Sequence, residues 1–227
     1  VGLPVNPALR SSAAHVFVQS LAALELQPDD AHHLFRVLRV RDGEVVTVTD
    51  GGGGWLVTQV AGQVLHPVSD PVFEPAPAQL TIASAIPKGD RAEWMVQKLT
   101  EIGVARIVLV HCARSAVRWE GERGERHLQR ARRVAREAAM QSRRVWMPDI
   151  AGPESLSAVV LQPNVVLAAP EGVAPADLAV TPATVVIGPE GGFTPDELAC
   201  GAPSVRLGDT ILRVETAAIV AAARFAQ

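Results

Sequence analysis

Two turns near the carboxyl terminus carry residue types that can bind a small molecule through the backbone. The first turn, residues 188–192 (GPEGG), follows a run of valine and isoleucine. Its glycines permit positive φ angles and let a ligand approach the main chain closely, while Pro189 fixes one dihedral angle. Thr194, Pro195 and Glu197 follow in the pattern of a capped helix start. The sequence therefore predicts a rigid backbone cradle between a buried strand and a helix.

Taken alone, the glycine-rich turn also fits an ordinary connection between a strand and a helix. It contains neither GxxxxGK[ST] nor GxGxxG, so it is not one of the common phosphate-binding loops. The second turn, within residues 207–217, favours a binding role because it places apolar Ile211 and Leu212 beside charged Arg213 and Glu215. A turn that exposes two large aliphatic side chains needs an apolar partner to cover them.

Composition indicates a folded globular protein of one large domain or two small ones. The chain has 227 residues, of which 48% are hydrophobic and 20% are charged, and these values exclude a disordered or fibrous chain. No apolar run approaches the roughly 20 residues that span a bilayer, and no signal-peptide pattern is present. We therefore expect a cytoplasmic protein without a membrane partner. Cys112 and Cys200 lack metal-ligand spacing, so neither a disulfide nor a bound metal is expected.

The charge distribution indicates a local basic segment within an acidic chain. The net charge of −3 argues against indiscriminate coating of nucleic acid. Residues 114–144 nevertheless contain ten arginines against four glutamates. The alternative to a nucleic-acid surface is a solvated helix with ion pairs three or four residues apart, such as Glu122–Arg126 and Arg133–Glu137.

The first 72 residues predict a small antiparallel barrel. Strands are expected at 15–19, 44–50 and 55–62, with the last two joined by a four-glycine hairpin turn. One helix interrupts them, with Asp29 or Asp30 as its cap and Leu34, Val37 and Leu38 on one apolar face. Prolines at 67, 71, 75 and 77 mark a linker. The domain boundary is therefore placed between residues 72 and 73.

Residues 73–227 alternate between predicted strands and helices, which is typical of a parallel sheet covered by helices on both faces. Such α/β sheets bind ligands at the carboxyl ends of their strands. Strands are expected at 79–86, 105–111, 164–170, 183–189 and 204–208, and helices at 89–103, 122–141, from 195 and near the chain end.

Several motifs resemble one family of RNA-modifying enzymes. GPEGG and LGxxILRxETA, about twenty residues apart, resemble the carboxyl-terminal signature of the SPOUT methyltransferases. They are most similar to the bacterial RsmE family, which methylates N3 of a uridine in 16S ribosomal RNA. Four further blocks match in order, at 32–44 (HHLFRVLRVRDGE), 88–104 (KGDRAEWMVQKLTEIGV), 113–119 (ARSAVRW) and 136–148 (REAAMQSRRVWMP). Ala113 and Met140 depart from the acidic residues that are common in the family.

The resemblance implies a fold, a cofactor and an oligomeric state. It implies a PUA-like, RNA-binding β-barrel at 1–72 and a SPOUT α/β domain with a deep trefoil knot at 73–227. It also implies a homodimer through the knotted domain, where the alanine-rich final helix would pack, although packing within one chain would explain those alanines equally. The knot loops of the family bind S-adenosylmethionine. The matching positions are Leu167, Ala168, Gly188, Pro189, Glu190, Gly191, Gly192, Leu207, Gly208, Ile211, Leu212 and Arg213.

The implied reaction requires an unpaired uridine, because its N3 atom lies on the Watson–Crick edge and must lose a proton. Arg213 is the candidate for supporting the deprotonated imide or orienting the base, and Glu190 and Glu215 are candidates for positioning that arginine. The alternative for Arg213 is a structural ion pair. No proton acceptor is identified, since none of the six histidines lies in the two turns.

The implied RNA surface combines the basic helix with residues of the matched motifs. The other functions kept open are a non-catalytic dimeric RNA-binding or ribosome-assembly factor and a methyltransferase acting on another RNA. His32 and His33 are interpreted as structural residues rather than metal ligands. The candidate RNA-binding residues are Arg114, Ser115, Arg132, Arg133, Arg136, Gln141, Ser142 and Arg144.

Overall fold

The computed structural model describes residues 6–226 and divides them into two compact units. The first unit runs to Pro77 and includes Arg136–Met147, and the second consists of Ala78–Ala135 and the chain from Pro148 onward. The sequence indicated two domains that follow one another along the chain. It did not predict that Arg136–Met147 would group with the first unit. The boundary at residue 72 stays a prediction.

The sheet of the first unit is mixed rather than antiparallel. Its strands are ordered β1-β2-β3-β4, and β5 pairs with β3. β1 and β2 are parallel, whereas β3 is antiparallel to its three partners. The helical segment between β1 and β2 supplies the long crossover that a parallel pair requires, and the prediction of a wholly antiparallel barrel is therefore wrong. The strands are β1 (Ala14–Phe17), β2 (Val45–Thr49), β3 (Gly54–Ala61), β4 (Val64–Pro67) and β5 (Val72–Phe73).

The predicted helix of the first unit differs from the expectation in its cap and its apolar face. Helix α1 is Pro7–Ser11, and α2 is Pro28–His32, followed by a π-helical turn at His33–Val37. No side chain caps α2, and Asp29 and Asp30 lie in its first turn. Leu34 is buried, but Val37 and Leu38 are 56% and 49% exposed. The wider π-helical turn breaks the 3.6-residue period on which the predicted apolar face depended.

The four-glycine turn is the predicted hairpin and also contacts another part of the first unit. Thr49 pairs with Trp55 across the hairpin. The amide of Gly53 donates to the carbonyl of Val145 at 2.9 Å. A Cβ atom at Gly53, which has a φ of 93°, would collide with the ring of Trp146. Glycine is therefore required here by a close packing contact as well as by turn geometry.

The second unit contains the predicted parallel sheet, in the order β11-β9-β10-β6-β7-β8. All five strand pairs are parallel. Strand β8 was missed, because its residues 149–155 (DIAGPES) include glycine and proline and only one large aliphatic side chain. The strands are β6 (Thr81–Ala85), β7 (Arg106–His111), β8 (Asp149–Ser155), β9 (Val165–Val173), β10 (Thr184–Ile187) and β11 (Ser204–Val205).

The helices of this part of the chain follow the sequence signals closely. Gly103, with a φ of 107°, ends α3 as predicted. Thr194 and Glu197 form the predicted capping box of α6. No helix within residues 6–226 is long and apolar enough to cross a membrane. The helices are α3 (Arg91–Ile102), α4 (Gly121–Gln141), α5 (Leu156–Val159), α6 (Pro195–Leu198) and α7 (Val214–Phe225), with a 3₁₀ turn at Pro175–Asp177.

Candidate functional site

The two predicted turns border a single cavity of about 440 Å³ in the second unit. This volume falls within the range of roughly 300–1,000 Å³ that is usual for small-molecule sites. The cavity lies at the carboxyl ends of β9 and β10, where Ala168 is paired with Ile187. Parallel strands deliver their following loops to one edge of the sheet, which explains why turns distant in sequence meet here.

Ten of the twelve predicted cofactor residues line this cavity. Leu167 and Arg213 do not, and Leu167 is fully buried. The sequence missed further lining residues partly because β9 continues to Val173, beyond the predicted end at residue 170. The ten are Ala168, Gly188, Pro189, Glu190, Gly191, Gly192, Leu207, Gly208, Ile211 and Leu212. The missed residues are Ala169, Pro170, Glu171, Ile187, Phe193, Leu198, Arg206, Thr210, Val214 and Ala217.

The cavity wall offers apolar contact and unobstructed backbone. Ile211 is 84% exposed, an unusual environment for a large aliphatic side chain, which is most often buried. Gly192 has a φ of 69°, and a Cβ atom there would meet nothing within 4 Å. A Cβ at Gly188 would press on the ring of Phe193 at 3.1 Å. The turn can therefore receive a ligand that has an apolar face and groups for backbone hydrogen bonding.

Arg114 holds the glycine-rich turn in place. Its Nη1 atom donates to the carbonyl oxygens of Gly191 at 3.0 Å and Phe193 at 3.2 Å. The neighbouring Ala113 amide donates to Glu197 Oε1 at 2.7 Å, and Ser115 Oγ accepts from the Cys112 amide at 3.0 Å. This contact network was not anticipated, since Arg114 and Ser115 were assigned to RNA. The RNA role of both residues stays a prediction.

The three candidate catalytic residues differ in burial and in their partners. Glu215 is buried and pairs with Arg91 at 3.6 Å, and Glu190 is exposed. Arg213 is exposed and occupies the cap position of α7. It forms no ion pair with another residue of 6–226, so the structural ion pair considered as its alternative is not observed. Glu215 does not orient Arg213 in this arrangement.

Burial shifts the pKa of two titratable groups near the end of β7. Burial and then the charge of Arg118 lower the pKa of His111, whose Nε2 accepts from the Trp119 amide at 3.2 Å. Burial raises the pKa of the Cys112 thiol to about 12. Cys112 is therefore a thiol at neutral pH and not a nucleophile.

Several candidate RNA-binding residues have structural partners in the first unit. Arg136 donates to Asp30 at 2.6 Å, and its guanidinium lies 4.8 Å from the centre of the Phe17 ring. Ser142 Oγ donates to the Ala138 carbonyl at 2.7 Å. Burial lowers the pKa of Arg144 to about 10. Gln141 is exposed, and the RNA assignment of these residues stays a prediction.

Two other candidates lie in the second unit and are exposed. Arg132 Nε donates to the Ile150 carbonyl at 3.3 Å and lies 3.8 Å from Glu125. The Arg133 guanidinium forms no ion pair or hydrogen bond within the described part of the chain. The expected Glu122–Arg126 pair is present at 4.0 Å, but the expected Arg133–Glu137 pair is not. Ion pairing therefore explains only part of the basic segment.

Comparison with known proteins identifies the family. Residues 74–226 match the family model described as an RNA methyltransferase domain, and residues 26–62 match an RNA methyltransferase PUA domain. A relative from Mycobacterium bovis, named ribosomal RNA small subunit methyltransferase E, is 36% identical over 217 residues, which cover 85% of this chain and 82% of the relative. The chain belongs to the ribosomal RNA small subunit methyltransferase E family.

Other members of the methyltransferase E family span nearly the whole chain. The relative from Bacillus subtilis is 27% identical and covers 90% of both chains. A solved structure from Neisseria gonorrhoeae is described as a ribosomal RNA small subunit methyltransferase E bound to S-adenosyl methionine. It superimposes with a TM-score of 0.78 at 26% identity and covers 92% of this chain and 95% of that chain. A putative methyltransferase from Legionella pneumophila, described with bound cofactor SAM, gives a TM-score of 0.80 at 28% identity, with 92% and 94% coverage.

Proposed function

We propose that this chain is an S-adenosylmethionine-dependent methyltransferase that modifies N3 of a uridine in 16S ribosomal RNA of the small subunit. The observation that carries the proposal is the single cavity bordered by both signature turns. Support comes from relatives named for ribosomal RNA small subunit methylation and from two similar structures described with the same cofactor.

The residues around the cavity fit this cofactor. The glycine-rich turn offers main-chain groups to the methionine and ribose portions, and its Gly192 leaves the space that a side chain would occupy. Ile211 and Leu212 supply apolar surface for the adenine ring. When bound, the cofactor supplies a methyl group on a positively charged sulfur. Arg114 would fix the position of the turn that receives it.

The residues of this chain would promote methyl transfer mainly by alignment. Holding the uridine N3 in line with the bond between the methyl group and the cofactor sulfur lowers the entropic part of the activation barrier. Arg213 lies between two residues that line the cavity and has an exposed guanidinium, so it can stabilise the imide after the N3 proton leaves. The protonated Cys112 thiol makes a covalent protein intermediate at this position unfavourable.

The proposal includes a trefoil knot, a PUA-like barrel, a homodimer and a cytoplasmic site of action. A chain crossing near the carboxyl terminus is supported by the order of elements, because β11 pairs with β9 while the following α7 packs against β6 and β10. The buried alanines of α7, Ala218, Ala221 and Ala222, are already used in packing within the chain. They therefore supply no separate argument for the dimer.

Methylation of defined RNA tests the proposed function. The purified protein would be incubated with S-adenosylmethionine carrying a labelled methyl group and with 16S RNA or small subunits from a strain that lacks the gene. We expect labelled 3-methyluridine at one position, detected by nucleoside mass spectrometry, and no product from a Gly192→Val variant, whose side chain would fill the cradle. Label in transfer RNA, supplied in a parallel reaction, would indicate another substrate. If the folded protein does not bind the cofactor, the alternative function, a non-catalytic ribosome-assembly factor, would be supported.

A further inference from the structure

Strand β9 leaves the regular ladder of the sheet where it reaches the cavity. Its pairing with β10 ends at Ala168, and two consecutive residues of β11 oppose Leu167 and Val173. The Leu167 amide donates to the Pro203 carbonyl at 2.9 Å, which fixes the start of this irregular segment. Among the described residues, 169–172 therefore pair with neither neighbouring strand.

The irregular segment places one acidic residue at the cavity wall. Residues 168–171 all line the cavity, and Glu171 is the charged residue among them. At Gly172, which follows, a Cβ atom would lie 2.5 Å from the backbone nitrogen of Val205, so glycine is required for the close approach of β11. Bulges in strands often re-aim side chains beside functional sites. The path of the backbone thus determines where Glu171 lies.

The residues that line the cavity give it an excess of negative charge. Glu171 and Glu190 form no ion pair with another residue of 6–226. Arg206, the basic residue of the lining, has its Nη1 atom 3.3 Å from Asp209 Oδ1, and Asp209 does not line the cavity. A bound ligand would therefore meet two unpaired carboxylates and one guanidinium whose charge is offset.

Two further arginines lie close to the signature turns in sequence or in space, but neither lines the cavity. The Arg114 guanidinium donates to carbonyl oxygens on the outer side of the lining residues 191 and 193. Arg213 is exposed at the start of α7. The excess of negative charge within the lining is therefore not cancelled by a residue of the lining itself.

S-adenosylmethionine and its product differ by one charge. The ammonium and carboxylate groups of the methionine portion cancel at neutral pH, so the sulfonium leaves the molecule with a net positive charge. When the methyl group is transferred, the electrons of its bond to sulfur stay on sulfur. S-adenosylhomocysteine therefore has nearly the same shape without the positive charge, and a negatively charged cavity attracts it less.

We propose that Glu171, together with Glu190, makes this cavity select the cationic cofactor over its neutral product. The inference rests on the proposed function, because that function supplies the cofactor. The selection promotes product release, since the attraction is lost when the methyl group leaves. Both residues are exposed, so each changes the relative affinity only a few-fold. Glu171 is thus a specificity-determining residue that takes no part in the transfer itself.

Calorimetry with both ligands tests the role of Glu171. S-adenosylmethionine and S-adenosylhomocysteine would be titrated separately into the intact chain and into Glu171→Gln, which removes the charge and keeps the shape. We expect the affinity for S-adenosylmethionine to fall about two- to five-fold, with a much smaller change for S-adenosylhomocysteine. The difference should shrink at high salt. Equal losses for both ligands would indicate a role in shape or folding and would overturn the proposal.

Arg206 and Asp209 provide a test of opposite sign. Arg206→Gln removes the guanidinium of the lining and should raise the preference for S-adenosylmethionine, whereas Asp209→Asn leaves that guanidinium unpaired and should lower the preference. Each change should be about two-fold or more. Glu122→Gln, at an exposed position of α4 in the same unit, also removes one negative charge and should leave the preference unchanged. Shifts with the reverse signs would show that charge does not determine the preference.

The outcomes for this inference and for the proposed function can be distinguished. If the intact chain binds S-adenosylmethionine and the ratio of the two dissociation constants is the same in Glu171→Gln and Glu190→Gln, this inference fails alone. If the folded intact chain binds neither ligand, the proposed function fails and this inference fails with it.

Discussion

Helix α4 and the exposed segment at residues 36–41 of the first unit both carry arginines, but they differ in how many of those arginines have internal partners. Four of the six arginines on α4 pair with carboxylates. One of the four, Arg130, lies 2.8 Å from Glu93. The three arginines of that segment, Arg36, Arg39 and Arg41, have no ion pair within the described residues. The segment with more arginines is therefore not the one in which the larger share of arginines lacks an ion-pair partner.

This difference separates two uses of arginine that composition cannot distinguish. A paired and partly buried guanidinium stabilises a particular packing arrangement, and removing it leaves a carboxylate without its partner. An unpaired, exposed guanidinium adds little to stability but can neutralise a phosphate and release counterions. Substitutions in the two groups should therefore affect different measurements.

The largest effect is expected for Arg136→Ala at the end of α4. Asp30 is 6% exposed, and it would lose a hydrogen bond of 2.6 Å and its counter-charge. The loss of a partner from a buried ion pair costs about 4 kcal/mol in the free energy of unfolding. Chemical denaturation would measure it, with Arg133→Ala as the matched control. A stability change below about 0.5 kcal/mol, together with lost RNA affinity, would show that Arg136 contacts RNA and does not stabilise the fold.

The next effect is expected from pH and depends on His15. His15 is buried, and its Nε2 contacts the Arg144 carbonyl at 3.1 Å while Nδ1 contacts Thr47 Oγ1 at 2.9 Å. Burial lowers its pKa from 6.5 to about 4, so between these values the unfolded chain binds the extra proton. The free energy of unfolding therefore falls as the pH drops through this window, by about 3 kcal/mol in total.

Substitution of His15 identifies the group responsible for that pH dependence. His15→Gln should flatten the decline in unfolding free energy between pH 6.5 and 4, whatever its effect on stability at neutral pH. His66→Gln, at an exposed position of the same unit, should retain the full decline. Equal slopes in all three proteins would mean that other groups control the acid sensitivity.

The sequence predicted the local elements and the cavity-forming turns better than it predicted side-chain partners. Capping, glycine stops and apolar runs are local signals, so α3, α6 and five of the six strands of the parallel sheet were found. Strand β8 and the left-handed Arg39, which has a φ of 56°, were missed because tertiary contacts, not local propensity, determine them. The partners of Arg114, Arg136 and Glu215 lie 77, 106 and 124 residues away respectively, as their numbering shows. Spacing along the chain carries no information about contacts of that kind.

A moderate effect is expected for Arg114→Ala, which lies outside both arginine groups. The variant removes two hydrogen bonds that hold the glycine-rich turn. The side chain is exposed, so the loss should be modest. We expect the binding free energy of S-adenosylmethionine to weaken by about 1–2 kcal/mol, which is roughly a ten-fold lower affinity by calorimetry. Arg118→Ala is the control. Unchanged cofactor affinity with weaker RNA binding would show that Arg114 contacts RNA and does not position the turn.

The smallest effect separates two adjacent arginines on α4 that differ in their partners. Arg133 has none within the described chain, whereas Arg132 donates to the Ile150 carbonyl at 3.3 Å. We therefore expect Arg133→Gln to reduce the salt slope of RNA binding by about one while unfolding free energy stays within roughly 0.5 kcal/mol. Arg132→Gln should change the slope less and lower stability slightly. Equal losses of slope would mean that exposure alone, and not the absence of an internal partner, determines which arginines bind phosphate.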